Sequence, residues 1–276
     1  RPNRFLLIFD KDTGQLCYQL EAQRERHFYG HGAFSLDGRF LLTTENDLET
    51  LRGVIGVYDA TRRYVRVGEF PSHGDGPHDI RRLRGADLFV VANGGLQTHP
   101  NSGRTILNLD SMQSNLSYLD INGRLINQNR LDHSYRRASI RHLSVMTDNR
   151  VAFGMQWQGD RLASPALVGI DSRELGPSLL GQSHQGRLMH GYIGSVASHP
   201  KSDEVGFSSP RAGCVEIYSS QGRLIHRVTQ DDVCGLAVTD NRWVASSGTG
   251  LVFDLFEPTR SALHAFQFDN HFLAIS

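Results

Sequence analysis

Short runs of apolar residues with alternating polar positions recur along the whole chain, separated by Gly, Asp and Asn. The clearest example is 30–44, where a strand-like segment, an Asp37-Gly38 turn and a second strand follow one another. Alternation with a period of two is typical of half-buried strands, and Asp-Gly is a favoured hairpin turn. Similar phrases return around Asp148-Asn149 and Asp240-Asn241. The pattern predicts an all-β fold built from hairpins.

The predicted strands fall into units of four within about 40 residues, which is the period of a β-propeller blade. A pair of strands in 4–22 precedes these units, and 268–275 has the pattern of one further inner strand. The inner strands of five complete units are predicted to start near His31, His78, Ile140, Tyr192 and Val233.

Incomplete units at both ends of the sequence suggest a ring in which the two termini share a blade, because this arrangement leaves no open sheet edge. We therefore expect a single β-propeller domain over 1–276. A conventional ring has seven blades, in which case the N-terminal blade is partly missing from this chain. A six-bladed ring is the alternative, if the termini meet directly.

Composition excludes several classes of protein. The 276 residues carry 29 basic and 29 acidic side chains with no basic block, so a nucleic-acid partner is not expected. No apolar run is long enough to span a membrane as a helix. Three cysteines do not form a disulfide framework. The sequence also lacks the nucleophile elbow, phosphate loop, haem attachment and dinucleotide motifs of common enzymes, which favours a protein that is not an enzyme.

Five side chains that bind metals fall on predicted inner strands. His31, His142 and Cys234 each lie six residues before the Asp of a hairpin turn, His78 opens an inner strand, and His271 lies on the last predicted strand. Equivalent positions in successive blades point the same way, so these side chains are expected at one mouth of a central channel. Imidazole suits iron, copper and zinc, and a thiolate adds soft character. The alternative is that each histidine forms hydrogen bonds to the neighbouring blade.

A second candidate site combines a long insertion with a nearby arginine. The insertion, 93–115, carries Asn93, His99 and Arg104, and Arg141 precedes His142 on its inner strand. Insertions on a rigid scaffold commonly contact ligands, and arginine binds anions. These four residues are therefore predicted to bind a ligand. The alternatives are a solvated flap over a blade edge and pairing of Arg141 between blades.

Several phrases taken together resemble the bacterial DUF1513 family, a family of unknown function, across essentially the whole chain. The phrases lie at 27–32, 43–47, 52–59, 76–79, 91–95, 98–104, 139–143, 191–196 and 269–271. The resemblance implies a seven-bladed propeller related to the YVTN and quinoprotein-dehydrogenase-like propellers. It also implies export to the periplasm and genes beside imelysin-like iron-uptake proteins, which would be the partners. It brings no established activity.

Three functions follow from these observations. The first is a periplasmic binding or accessory protein linked to the uptake of iron or another metal. The second is an oxidoreductase that holds a metal or a quinone-type cofactor in the propeller funnel, which rests on fold analogy. The third is a scaffold for protein interactions without a cofactor.

Overall fold

A computed structural model of the chain describes residues 4–99, 105–181 and 184–274. The chain divides into two compact units, Arg1–Arg141 and His142–Ser276. The described strands form five four-stranded sheets and one two-stranded sheet, all antiparallel. The helices of the described residues are all short: α1 (Gln185–Leu188) and three 3-10 helices at Ala60–Arg62, His133–Tyr135 and Arg161–Ala163. The predicted all-β class is confirmed.

The first unit contains a two-stranded hairpin and two four-stranded sheets. The hairpin is β1 (Phe5–Phe9) and β2 (Leu16–Glu21). The next sheet is β3 (Arg26–Phe34), β4 (Phe40–Asp47), β5 (Gly53–Asp59) and β6 (Val65–Pro71). The third is β7 (Pro77–Arg82), β8 (Leu88–Asn93), β9 (Asn115–Asp120) and β10 (Leu125–Asn129).

The second unit contains the remaining sheets, and the division between the units falls within its first strand. That sheet is β11 (Ala138–Val145), β12 (Val151–Trp157), β13 (Val168–Ser172) and β14 (Gly176–Leu179). The next is β15 (Ser195–Ser198), β16 (Glu204–Ser209), β17 (Cys214–Ser219) and β18 (Leu224–Thr229). The last is β19 (Val233–Thr239), β20 (Arg242–Ser247), β21 (Leu251–Asp254) and β22 (Ser261–Leu263).

Every four-stranded sheet follows chain order from inner to outer strand, as in a propeller blade. The predicted starts of the inner strands are close to those observed, although β3 begins earlier, at Arg26, and β15 begins later, at Ser195. The ring closure, the single domain and the count of seven blades stay predictions.

The last predicted strand is wrong: the described residues 264–274 contain no strand. The alternating pattern at 268–275 resembles a strand, but a strand exists only as part of a main-chain hydrogen-bond ladder. Residues 264–274 do not form such a ladder, so His271 lies on an irregular segment.

Turn chemistry explains the hairpins between inner strands. At Asp240-Asn241 both residues have positive φ and Thr239 pairs with Arg242, which is the two-residue turn favoured by strand twist. The Asp37-Gly38 turn is longer than predicted. Its loop is closed by a hydrogen bond from Ser35 N to Phe40 O (2.8 Å), with Gly38 at a φ of 71°.

Within each unit, neighbouring sheets pack face to face on apolar side chains. In the first unit the shared core is formed by Leu42, Ile55, Ile80, Phe89, Val91 and Leu119. In the second unit Trp243 lies in a core formed with Ala197, Val215, Ile217, Val233, Leu236, Ala245, Phe253 and Leu255. The β1–β2 hairpin packs on Phe28, Leu41 and Tyr58 of the next sheet.

The first four-stranded sheet also buries a carboxylate, Glu45, which is 1% exposed. Glu45 accepts hydrogen bonds from the Thr43 hydroxyl (2.8 Å) and the Tyr58 hydroxyl (3.0 Å), and its other oxygen pairs with Arg66 (2.7 Å). Burial raises the pKa of Glu45, and the Arg66 charge and the two hydroxyl groups oppose this shift. A Cβ at Gly56 would overlap Glu45 Oε1, so glycine leaves room for this network.

Replacing Gly56 by alanine should therefore destabilise the protein, by about 1–3 kcal/mol, because Glu45 must leave its three partners or strain the strand. The free energy of unfolding from urea titration measures the effect. Gly68→Ala is the matched control, since a Cβ at Gly68 meets nothing within 4 Å. Equal stability of the two variants would contradict this account of Gly56.

Candidate functional site

Two of the predicted metal ligands, His31 on β3 and His78 on β7, lie together in the first unit. Their ring centroids are 5.3 Å apart. His31 Nδ1 lies 3.0 Å from Asp79 Oδ1, and His78 Nδ1 lies 2.9 Å from the carbonyl oxygen of Arg141. Strands β3 and β7 are neighbouring inner strands, and this pairing of sheets brings together residues that are far apart in sequence.

The contact of His78 determines which nitrogen this ring can present. A carbonyl oxygen only accepts hydrogen bonds, so Nδ1 is the protonated, donating nitrogen of His78 and Nε2 is its basic nitrogen. Metal-binding histidines usually have this arrangement, in which the second nitrogen donates to a carboxylate or a main-chain carbonyl. His78 therefore has the hydrogen-bonding pattern of a metal ligand, and the His31 ring beside it has a carboxylate at ion-pair distance.

Asp79, which follows His78 on β7, is completely buried beside the pair. Its Oδ1 atom lies 3.2 Å from Arg81 Nε as well as 3.0 Å from His31 Nδ1. A buried carboxylate needs such partners, because an uncompensated buried charge costs several kcal/mol, on the order of 3–5. Arg81 thus lies at ion-pair distance from the buried carboxylate, which also lies beside the His31 ring.

A second histidine on β3, His27, is buried close to Tyr29. It is 6% exposed, and the two ring centroids are 5.1 Å apart. Burial lowers the pKa of His27 to about 4, with smaller contributions from the charges of His99 and Arg4. His27 is therefore neutral at physiological pH.

The start of the insertion reaches this part of the first unit. Burial raises the pKa of Tyr29, while a hydrogen bond with Thr98 and the charge of Arg141 lower it. The predicted ligand-binding residues His99 and Arg141 thus lie near His27 and Tyr29. Arg104 lies outside the described residues.

Asn93, the fourth residue predicted to bind a ligand, is wholly buried. Its side-chain amide donates to the carbonyl of Ser72 (2.8 Å) and to Asn115 Oδ1 (2.9 Å). Because Asn93 and Asn115 are paired at the ends of β8 and β9, the amide closes the base of the insertion. These contacts support a structural role for Asn93.

The other predicted metal ligands lie in the second unit. The rings of His142, on β11, and His271 have centroids 5.3 Å apart. Cys234, on β19, donates from Sγ to the carbonyl oxygen of Asp232 (3.0 Å). Burial raises the pKa of the Cys234 thiol to about 11, with a smaller contribution from the Asp232 charge, so the thiol is protonated at neutral pH.

The sequence analysis did not identify Asp79 and Arg81, which lie beside the histidine pair, or Tyr29, which lies beside His27. Asp79 was available in the phrase Pro77-His78-Asp79, because its neighbour His78 was already a candidate. Adjacent residues on a strand point to opposite faces, so a contact between Asp79 and the other histidine could have been considered. Tyr29 and Arg81 carry no comparable signal.

The structure defines an all-β protein of propeller-type blades with a pair of anchored imidazoles in its first unit. The sequence model of the family described as "Protein of unknown function (DUF1513)" matches residues 1–275, and the chain belongs to this family. No curated protein matches the sequence. Among the described residues, no helix has the length and apolar character needed to cross a membrane.

The buried, neutral state of His27 predicts a specific pH dependence of stability. Its pKa is about 4 in the folded protein, against 6.5 for an unperturbed histidine, so protons favour the unfolded state. The contribution is complete above about pH 6.5 and declines as the pH falls toward about 4. Unfolding midpoints in urea across this range should depend less steeply on pH in His27→Gln than in the wild type.

His133→Gln is the control for this experiment, because His133 is exposed. Its pH dependence should match that of the wild type. An unchanged slope in His27→Gln would show that His27 is not the buried group that responds to acid.

Proposed function

We propose that this chain is a metal-binding accessory protein that acts in the periplasm in the uptake of iron or another transition metal. The observation that supports metal binding is the pair His31 and His78, whose ring centroids are 5.3 Å apart and whose Nδ1 atoms lie beside a carboxylate and a main-chain carbonyl. The Nε2 atoms are the proposed ligands, and the donor set suits iron, copper or zinc. Export and an imelysin-like partner rest on the family to which the chain belongs.

Two ligands are fewer than most transition-metal sites use. We take His142 as the third ligand, because it shares with His31 the position six residues before an Asp turn. His271 is the fourth candidate through its ring contact with His142.

The alternatives from the sequence are a cofactor-free scaffold and an oxidoreductase. In a scaffold, His31 and His78 would serve only to tie neighbouring strands together, and their replacement would cost stability without any effect on metal content. Turnover with the metal-loaded protein would distinguish an oxidoreductase from an accessory protein.

The metal test uses the full chain, prepared without an affinity tag and loaded in turn with iron, copper or zinc. Elemental analysis after dialysis should give about one equivalent of the preferred metal for the wild type. The double variant His31→Ala/His78→Ala should lose it, and so should His31→Ala/His142→Ala, because each removes two of the proposed ligands.

His226→Ala is the matched control, since His226 is exposed on an outer strand, β18. It should retain the metal. Circular dichroism must show folded protein in every variant. A wild type that retains no metal, or folded double variants with unchanged metal content, would reject the proposal.

Asp79 should act on the metal through His31 as a positioning residue. Asp79→Asn keeps the size of the side chain but removes the charge that orients the imidazole. We expect metal affinity to fall by about 10–100-fold, as for other carboxylates that support a ligating histidine. Titration with a competing chelator measures the affinity.

Asp148→Asn, on an exposed turn, is the control and should leave the affinity unchanged. Asp79→Glu should recover part of the lost affinity, which a purely structural effect on folding would not produce. Equal affinity in the wild type and Asp79→Asn would show that His31 does not hold the metal.

A further inference from the structure

A cavity of about 400 Å³ lies within the second unit. Its size falls in the range of small-molecule sites, about 300–1,000 Å³. The charged side chains that line it are Arg211, Asp232 and Asp269. Polar and aromatic groups complete the wall, including Tyr192 and Asn270.

Contact with an aromatic ring positions the Arg211 side chain, but this contact does not neutralise its positive charge. Its guanidinium lies over the ring of Tyr192, 4.2 Å from the centroid, and the Tyr192 hydroxyl accepts a hydrogen bond from Asn270 Nδ2 (2.9 Å). The carbonyl of Arg211 lies 2.8 Å from His190 Nδ1. Among residues 4–99, 105–181 and 184–274, no carboxylate forms an ion pair with Arg211. Its forked donors are therefore available to a ligand.

The environment of Arg211 makes an anionic group favourable at this position. Partial burial lowers the pKa of Arg211, and the positive charge of Arg161 adds to the effect. A negatively charged ligand group bound at the guanidinium would stabilise the charged form of Arg211 and so offset both effects on its pKa. Arginine binds carboxylates through two parallel hydrogen bonds, which fixes the orientation of the bound group.

The acidic side of the same cavity favours a positive group. Asp232 forms no ion pair with any cationic side chain in the described part of the chain. A simple anion bound at Arg211 would share the cavity with the carboxylate of Asp232, which is unfavourable. A simple cation would meet Arg211. Only a ligand that carries both charges matches both sides of the cavity.

We propose that this cavity binds a small zwitterion of the α-amino-acid class. The carboxylate of the ligand lies on Arg211, and its ammonium group lies on Asp232. Two carboxylates, those of Asp232 and Asp269, line the cavity, and this favours a basic ligand side chain over an acidic one. Cys234 also lines the cavity, but as a protonated thiol it takes no covalent part in binding.

Isothermal titration of the full chain with L-lysine, glycine and L-glutamate tests the proposal. L-lysine should bind most tightly and L-glutamate least. Acetate and methylammonium, which each carry one of the two charges, should bind at least about tenfold more weakly than L-lysine, because each loses one charged contact.

Two variants and a control locate the binding. Arg211→Gln and Asp232→Asn should each weaken L-lysine binding by about tenfold or more. Arg223→Gln, which removes an exposed arginine from the same unit, should not change it. Circular dichroism verifies that each variant is folded.

Several results would overturn the proposal. One is the absence of heat from any amino acid at millimolar concentration. A second is acetate binding as tightly as L-lysine, which would indicate an anion site. A third is unchanged L-lysine binding in folded Arg211→Gln. None of these depends on whether the first unit holds a metal.

Discussion

The middle strands of these sheets have two apolar faces, and the structure depends on covering both. In β8, Phe89, Val90, Val91 and Ala92 are consecutive and each is wholly buried. Consecutive residues of a strand point to opposite faces, so such a run needs a packing partner on each side. The outer strands differ, since β6 and β18 expose most of their residues. Because the middle strands are buried on both faces, neighbouring sheets pack face to face.

Burial on both faces also places polar side chains in the interior, where each needs a hydrogen-bond or ion-pair partner. Glu45 and Asp79 are both buried carboxylates, and each is paired with an arginine of its own sheet, Arg66 or Arg81. An arginine stem can cover apolar surface while its head reaches the acid. The carboxylates are consequently held rigidly. Asp79 lies 3.0 Å from His31 Nδ1 and so restricts the position of this proposed metal ligand.

The two proposed sites differ in how their charges are balanced. Around His31 and His78 the protein places oxygen atoms of Asp79 and Arg141 close to the Nδ1 atoms, an arrangement common for imidazoles that bind a metal through Nε2. In the cavity of the second unit, Arg211 and Asp232 form no ion pair with each other among the described residues. Opposite charges kept apart at one cavity suit a ligand that carries both charges. The histidine pair thus favours a metal and the cavity an organic zwitterion.

The sequence by itself determined the local structure, because period-two alternation and Asp-Gly or Asp-Asn turns act between near neighbours. Strand order, the blade repeat and the position of His31 and His78 on inner strands could all be predicted. The alternation at 268–275 led to a wrong strand prediction, because a strand also needs a hydrogen-bonded neighbouring strand, which the local pattern does not specify. The tertiary structure alone decided that Asp79 supports His31, that Asn93 closes the insertion, and that Arg211 lies on Tyr192. These contacts join residues that are distant in sequence, and only the packing of one sheet on another determines which side chains meet.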